Sequence, residues 1–194
     1  FACEICLSSR WALAQLARHG RFSVCVDHAQ QVADLAAATA AQGSQLRVFI
    51  EIDIGQGRCG VADAPAVLRL LDALAPHPQL QFGGLQAYQG GVQHVRGHAQ
   101  RRDAAAQAAE RTAAVVAALA VAGVACPVVT GGGSGSVEFD LASGVYTELQ
   151  PGSYVFMDGD YGRNEAGAAL RFQHSLFIAS TVMSVGGGGR CILD

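Results

Sequence analysis

Residues 127–136, PVVTGGGSGS, carry the densest set of anion-binding groups in this sequence. A short β-branched run reads as a buried strand. It breaks at once into glycines, with Thr130, Ser134 and Ser136 among them. A strand ending this way offers backbone N–H groups and hydroxyls at its C-terminal edge, which is how α/β proteins hold a phosphate. Thr130, Gly131, Gly132, Gly133 and Ser134 are the candidate cradle. The plainer reading is a flexible Gly/Ser linker. It fits less well, because a strand precedes the glycines and the acidic-aromatic VEFD follows them.

Three other segments hold chemistry-bearing residues in similar positions. In EIDIGQGRCGV (51–61) two glycines let the backbone turn close to a ligand, and Arg58 follows them. A guanidinium there can clamp a phenolate or carboxylate, or it can pair with Glu51 or Asp53 as a structural salt bridge. In GGLQAYQGGVQH (83–94) the Tyr88 ring can stack on a flat cofactor or simply pack at the rim. His94 is placed for acid–base work or is merely solvated. In LQPGSY (149–154) Gln150 can meet a neutral ring nitrogen, and Gly152, Ser153 and Tyr154 can complete the cradle; the alternative is a proline-kinked edge. MDGDY (157–161) resembles a Ca²⁺ loop only loosely, since the later ligands and closing Glu are missing. No metal ligand is assigned within the chain.

The elements that must position these residues alternate. Apolar, strand-like runs cover 2–7, 22–26, 47–54, 80–87, 126–130 and 147–157. Ala-rich helical stretches cover 10–18, 29–41, 64–74, 97–122 and 137–142. Strands buried on both faces and joined by helices imply a parallel sheet. The polar, Gly-rich residues gather after the strands, at the rim where (β/α) barrels keep their sites. The sequence therefore predicts an α/β chain with about six of the eight strands of a (β/α)8 TIM-type barrel over 1–163. Residues 164–194 are expected to begin a β domain, with β-rich 172–184, a turn at 186–189 and a second strand at 190–193.

Composition narrows the function classes. Hydrophobic residues make up 51% of the 194, which excludes a disordered chain. The net charge is −3 with no basic run, which argues against nucleic-acid and anionic-membrane partners. No uninterrupted apolar stretch reaches the ~18 residues of a membrane span. All 13 basic residues are Arg, so chemistry that needs a Lys amine must draw on residues outside this sequence. Cys3 and Cys6 form a C-x-x-C, but residues three apart in a strand face opposite ways and no second such pair exists. They read as free thiols, which fits a reducing cytoplasm. The strand-like runs at both ends make the sequence an expected piece of a longer protein, inactive by itself.

The four motifs, together with SLFIASTVMS (175–184), resemble in order the D-threonine aldolase group of the alanine-racemase-like, fold-type III pyridoxal-phosphate (PLP) enzymes. The resemblance runs from about residue 23 to 194 and is weakest over 1–22. It implies a PLP-binding barrel followed by a β domain. It also implies that Arg58 borders the PLP phenolic oxygen and Tyr88 borders the pyridine ring. Thr130, Gly131, Gly132, Gly133 and Ser134, with Gly152, Ser153 and Tyr154, would hold the phosphate. Gln150 would lie near the ring nitrogen and His94 near the substrate hydroxyl and the metal. The family's cofactor-bearing Lys is expected before Phe1, and the ligands of its divalent metal, Mn²⁺ or Mg²⁺, after Asp194. Gln89 departs from the His expected there. The implied activity is cleavage of D-threonine and related D-3-hydroxy amino acids to glycine and an aldehyde, by a possible homodimer. The alternatives are a D-serine or 3-hydroxy-D-aspartate dehydratase or aldolase on the same scaffold, and a non-catalytic PLP-binding protein.

Overall fold

The computed structural model describes residues 9–167 and 170–194. The strand expected over 2–7, and with it Cys3 and Cys6, lies outside the described residues. Five strands, β1 (Ser23–Val26), β2 (Leu46–Glu51), β3 (Leu80–Ala87), β4 (Val129–Gly131) and β5 (Glu148–Leu149), form one sheet. They pair in chain order and every pair is parallel. An order that never reverses has no switch point, so the sheet is wound one way, as in a barrel rather than a doubly wound sheet.

Helix α1 (Arg10–Leu16) precedes β1, and α2 (Ala29–Gln42), α3 (Ala64–Leu74), α4 (His98–Val121) and α5 (Val137–Ser143) make the four crossovers. Their ends are fixed by local chemistry. The His28 Nδ1 accepts from the Gln30 N–H, and the Gln31 Oε1 accepts from the His28 N–H, capping α2; Gly43, at φ 60°, ends it. Asp63 caps α3 by accepting from the Ala66 N–H at 2.9 Å. Val67, Leu70 and Leu74 form the buried stripe of α3. They pack on Val24, Val48, Ile50 and Leu85 in one core. Each such side chain contributes about 1.5–3 kcal/mol when fully buried.

Two expectations are corrected. The strand expected over 147–157 shrinks to Glu148–Leu149. Pro151 has no N–H to continue the ladder, and the chain turns into a short 3-10 segment at Ser153–Val155. The β-rich run 172–184 pairs only over β6 (Val182–Val185), with β7 (Cys191–Leu193) antiparallel to it. The turn falls at the expected glycines, where the Gly186 N–H donates to the Arg190 carbonyl. The membrane argument also needs refining. By length and composition alone, α4 is long and apolar enough to cross a membrane. In the fold its Ala105, Ala108, Ala109, Thr112 and Leu119 are buried, and Arg111 donates to the Ile54 carbonyl.

Gly84 shows how tightly the strands approach. The β2–β3 register slips beside it, its φ is 135°, and a Cβ there would lie 1.8 Å from the Val128 oxygen. Gly84→Ala is expected to cost at least about 3 kcal/mol of stability, measured by denaturant unfolding of the full-length protein.

Helix α5 backs the glycine loop after β4. Asp140 is 4% exposed and accepts from the Ser136 hydroxyl. A Cβ on Gly132 would lie 2.5 Å from its Oδ2. Burial pushes the Asp140 carboxyl above its ordinary value of 3.8, and the Ser136 hydroxyl and Gly133 N–H offset part of that. A raised folded value means the stabilising contribution is full below the unfolded value and is lost as pH rises through the folded one. The unfolding free energy of Asp140→Asn, relative to wild type, should therefore rise as the pH increases from the ordinary carboxyl value of 3.8. Denaturation at several pH values checks this; a difference independent of pH would show that the carboxyl is not raised.

Candidate active site

The loop after β2 is organised by one carboxylate. Asp53 accepts from the N–H groups of Gly55, Gln56 and Gly57 at 2.9–3.1 Å. The Gly55 and Gly57 bonds hold its carboxyl below the usual range. Asp53 is thus spent on its own loop rather than on Arg58. Arg58 is 55% exposed in its side chain, lies 3.8 Å from Glu51, and stands over the Tyr88 ring at 6.0 Å. A pairing that loose leaves most of the guanidinium fork for an incoming anion.

The loop after β3 carries the second wall. Gln86 and Tyr88 are two apart along an extended chain and so share a side. Burial pushes the Tyr88 phenol up, the nearby Tyr161 adds to this, and Arg58 offsets part of it. The phenol therefore stays protonated at neutral pH and can donate. Gln89 turns inward on its own loop: its Oε1 accepts from the Gly91 N–H and caps the 3-10 segment Gly90–His94. Gln93, 1% exposed, reaches across to the glycine loop. Its Nε2 donates to the Ser136 hydroxyl at 2.7 Å, and its Oε1 accepts from the Gly135 N–H at 2.8 Å. A Cβ on Gly133 would lie 2.5 Å from that Oε1. The amide of Gln93 is the template on which the cradle is folded.

Between these loops lies a cavity of about 340 Å³. Arg58, Tyr88, Gly133, Ser134 and Gln150 line it, with Gly152 and Ser153. These seven are among the residues singled out in the sequence. The Ser134 Oγ accepts from the Tyr154 N–H at 3.0 Å, so its own hydroxyl proton is left to donate. Thr130, Gly131 and Gly132 are buried behind the lining. Tyr154 contributes its backbone, while its ring packs on Phe172 with centroids 5.5 Å apart.

His94 stands one layer away. Its ring packs on Tyr161, centroids 5.2 Å apart, and Tyr161 lines the cavity. Its Nδ1 is 2.6 Å from Asp160 Oδ2. Asp160 is gripped from its other oxygen by the Arg96 guanidinium, which also donates to the Asp160 carbonyl and to Asn164. Arg96 first, and His94 second, hold the Asp160 carboxyl below its usual range. A carboxylate against Nδ1 fixes the neutral imidazole with its proton there, and Nε2 is then the acceptor. The MDGDY segment is no cation loop. Asp158 accepts from the Asp160 and Tyr161 N–H groups, and Asp160 is committed to Arg96 and His94. Among the described residues, no three His, Cys, Asp or Glu side chains gather as a metal site.

Sequence reasoning missed Gln86, Tyr161, Gln93, Arg96 and Asp160. The strand period could have flagged Gln86, two residues before Tyr88. Nothing local marks Gln93 or Asp160, whose partners are 43 and 66 residues away. A larger cavity, about 480 Å³, shares Ser134 and Tyr161 with the first and is bounded by Arg101 and Glu138. There Arg101 donates to the Val95, Arg96 and Glu165 carbonyls, and His98 meets Glu138 at 3.0 Å.

Residues 3–160 match the family model of the alanine racemase N-terminal domain. The chain is 50% identical over 182 residues to the D-threonine aldolase of an Arthrobacter species, covering 94% of this chain and 48% of that protein. It is 44% identical over 178 residues to the 3-hydroxy-D-aspartate aldolase of Paracoccus denitrificans, covering 89% and 46%. The crystal structure of D-threonine aldolase from Filomicrobium marinum superposes with a TM-score of 0.91 at 44% identity, over 98% of this chain and 51% of that one. D-threo-3-hydroxyaspartate dehydratase from Delftia sp. HT23 superposes with a TM-score of 0.72 at 26% identity, over 80% and 42%. The chain thus spans about half the length of the curated relatives it matches. A parallel sheet wound one way, a glycine cradle at its C-terminal rim and this match over residues 3–160 together place the chain in the alanine racemase N-terminal domain family.

Proposed function

We propose that the protein is a PLP-dependent aldolase that cleaves D-threonine and related D-3-hydroxy amino acids to glycine and an aldehyde. The observation that carries this reading is the cavity at the strand C-termini. It gathers Arg58, Tyr88, Ser134 and Gly152 in a chain half identical to a D-threonine aldolase. These residues fit PLP. The Ser134 hydroxyl has a proton to donate, and a side chain on Gly133 would run into Gln93, so backbone forms the cradle wall where a phosphate needs N–H groups. Arg58 offers a fork to the phenolic oxygen, and the Tyr88 ring offers a face to the pyridine.

Bound PLP supplies an electron sink for the pair released at Cα. The residues of this chain position the ring and handle the β-hydroxyl proton. Arg58 and Tyr88 orient the flat ring, and Ser134, Gly152 and Ser153 anchor its phosphate end. His94 Nε2, one layer from the lining, takes the β-hydroxyl proton through a bridging water; that proton must leave for the Cα–Cβ bond to open to an aldehyde. Asp160 holds Nδ1–H and stabilises the imidazolium that forms. A divalent metal, Mn²⁺ or Mg²⁺, is proposed on the family likeness alone. The described residues form no site for it, and the roles above do not depend on it.

The full-length protein with PLP, Mn²⁺ and D-threonine should release glycine and acetaldehyde, identified by mass spectrometry. 2-Oxobutanoate with ammonia would instead make it a dehydratase, and tight PLP binding without turnover would make it a carrier. His94→Ala should lower kcat/KM by about 10²–10⁴-fold, the usual scale for a lost general base. Wild-type kcat/KM in that variant would remove His94 from the chemistry. Arg58→Ala should weaken PLP binding about tenfold or more, read by titration of the apoprotein.

A further inference from the structure

Four polar side chains cross the sheet in one line. Gln86 on β3 is in register with Thr130 on β4, and Thr130 with Glu148 on β5. Gln150 follows two residues after Glu148, on the same side of an extended chain. The Thr130 hydroxyl donates to Glu148 Oε1 at 2.7 Å. Gln150 Nε2 donates to Thr130 Oγ1 at 2.9 Å and to Gln86 Oε1 at 2.6 Å. Gln86 Nε2 donates back to Gln150 Oε1 at 3.2 Å.

The direction of this chain has only one solution. An ionised carboxylate accepts and cannot donate, whereas an amide can face either way and a hydroxyl has a single proton. Glu148 therefore takes the Thr130 proton, and Thr130 must accept from Gln150. That turns the Gln150 nitrogen toward Thr130 and spends both of its protons, on Thr130 and on Gln86. The amide pair then uses one Gln86 N–H and leaves the second. Gln86 is 7% exposed and lines the 340 Å³ cavity. A donor that borders the cavity and lacks a protein partner is available to an acceptor in the ligand.

We propose that Gln86 is the residue that presents an N–H to the ring nitrogen of the cofactor, and that Glu148 sets this polarity through Thr130 and Gln150. The inference rests on the reading that the cavity holds PLP. It makes Gln86 a cofactor-binding residue that selects an unprotonated ring nitrogen. Glu148, Thr130 and Gln150 are positioning residues. Gln150, whose donors are both committed, acts on the ring through its partner.

A double-mutant cycle on the full-length protein tests it. Apoprotein is reconstituted with PLP, and affinity is read by absorbance. Gln86→Leu should weaken PLP binding about tenfold, the scale of one buried hydrogen bond. Glu148→Gln, an isosteric change at an exposed position, frees Thr130 to point either way and should weaken binding about threefold. In the Gln86→Leu background, Glu148→Gln should have no further effect, because the donor it orients is gone. Additive losses, or wild-type affinity in Gln86→Leu, would overturn the proposal while leaving the PLP reading standing. A measurement that needs no variant is the ¹⁵N resonance of ring-labelled PLP in the wild-type protein. A neutral, hydrogen-bonded nitrogen is expected, and a pyridinium would overturn the proposal. Failure of the wild-type protein to bind PLP at all would overturn the functional reading, and this proposal with it.

Discussion

Strands β3 and β4 run so close together that two positions along them admit no side chain. A Cβ on Gly84 would lie 1.8 Å from the Val128 oxygen, and one on Gly131 would lie 2.0 Å from the Ala87 oxygen. No rotamer relieves an overlap with backbone. This contact sets where the rim residues go. It puts Gln86 beside Thr130 in register and lets the amide of Gln93 reach Gly135 and Ser136 on the far side of β4. The cradle is thus a consequence of strand spacing, and its glycines serve the packing of the sheet as well as the binding of a ligand.

A second pattern is how the acids are spent. Asp53 gathers three backbone N–H groups, Asp63 caps α3, Asp140 is buried against Ser136, and Asp160 pairs with Arg96 and His94. Each carboxylate that could have neutralised Arg58 closely is engaged elsewhere or, like Glu51, stands at 3.8 Å. Arg58 keeps its charge directed at the cavity because its surroundings decline to quench it. An arginine in a tight bidentate pair would have to break that pair before meeting an anion.

Elements with strong local signals were legible in the sequence. The strand expected over 80–87 and the helix over 64–74 coincide with β3 and α3, the first an apolar run and the second marked by an Asp cap and an early Pro. The strand over 147–157 was overextended because apolar content alone does not reveal that Pro151 ends the ladder. Of the site, Arg58, Tyr88 and Ser134 could be read because charge, ring and glycine context mark them. Gln86 and Gln93 could not. An amide in a strand or loop resembles any polar residue until its partner is known, and those partners come from the residue after β5 and the turn before α5. Asp160 was read as part of a weak cation loop for the same reason: its meaning depends on Arg96, 64 residues away.

Aldol cleavage and dehydration differ in what they ask at the β-oxygen, and this bears on the choice between them. Cleavage requires that oxygen to lose a proton as the Cα–Cβ bond opens. Dehydration requires it to leave as water or hydroxide, helped by an acid or a metal. The His94–Asp160 pair is built for the first demand. In the neutral imidazole the carboxylate, kept ionised by Arg96, holds Nδ1–H and leaves Nε2 as the acceptor. When it takes the proton, the same carboxylate stabilises the charge that results. An imidazole serving as an acid would have to begin charged and end neutral beside that carboxylate, giving up the stabilisation as the reaction proceeds. On the proposed reading, the arrangement around His94 suits proton removal at the hydroxyl, the step on which the proposed aldolase and its dehydratase alternative part.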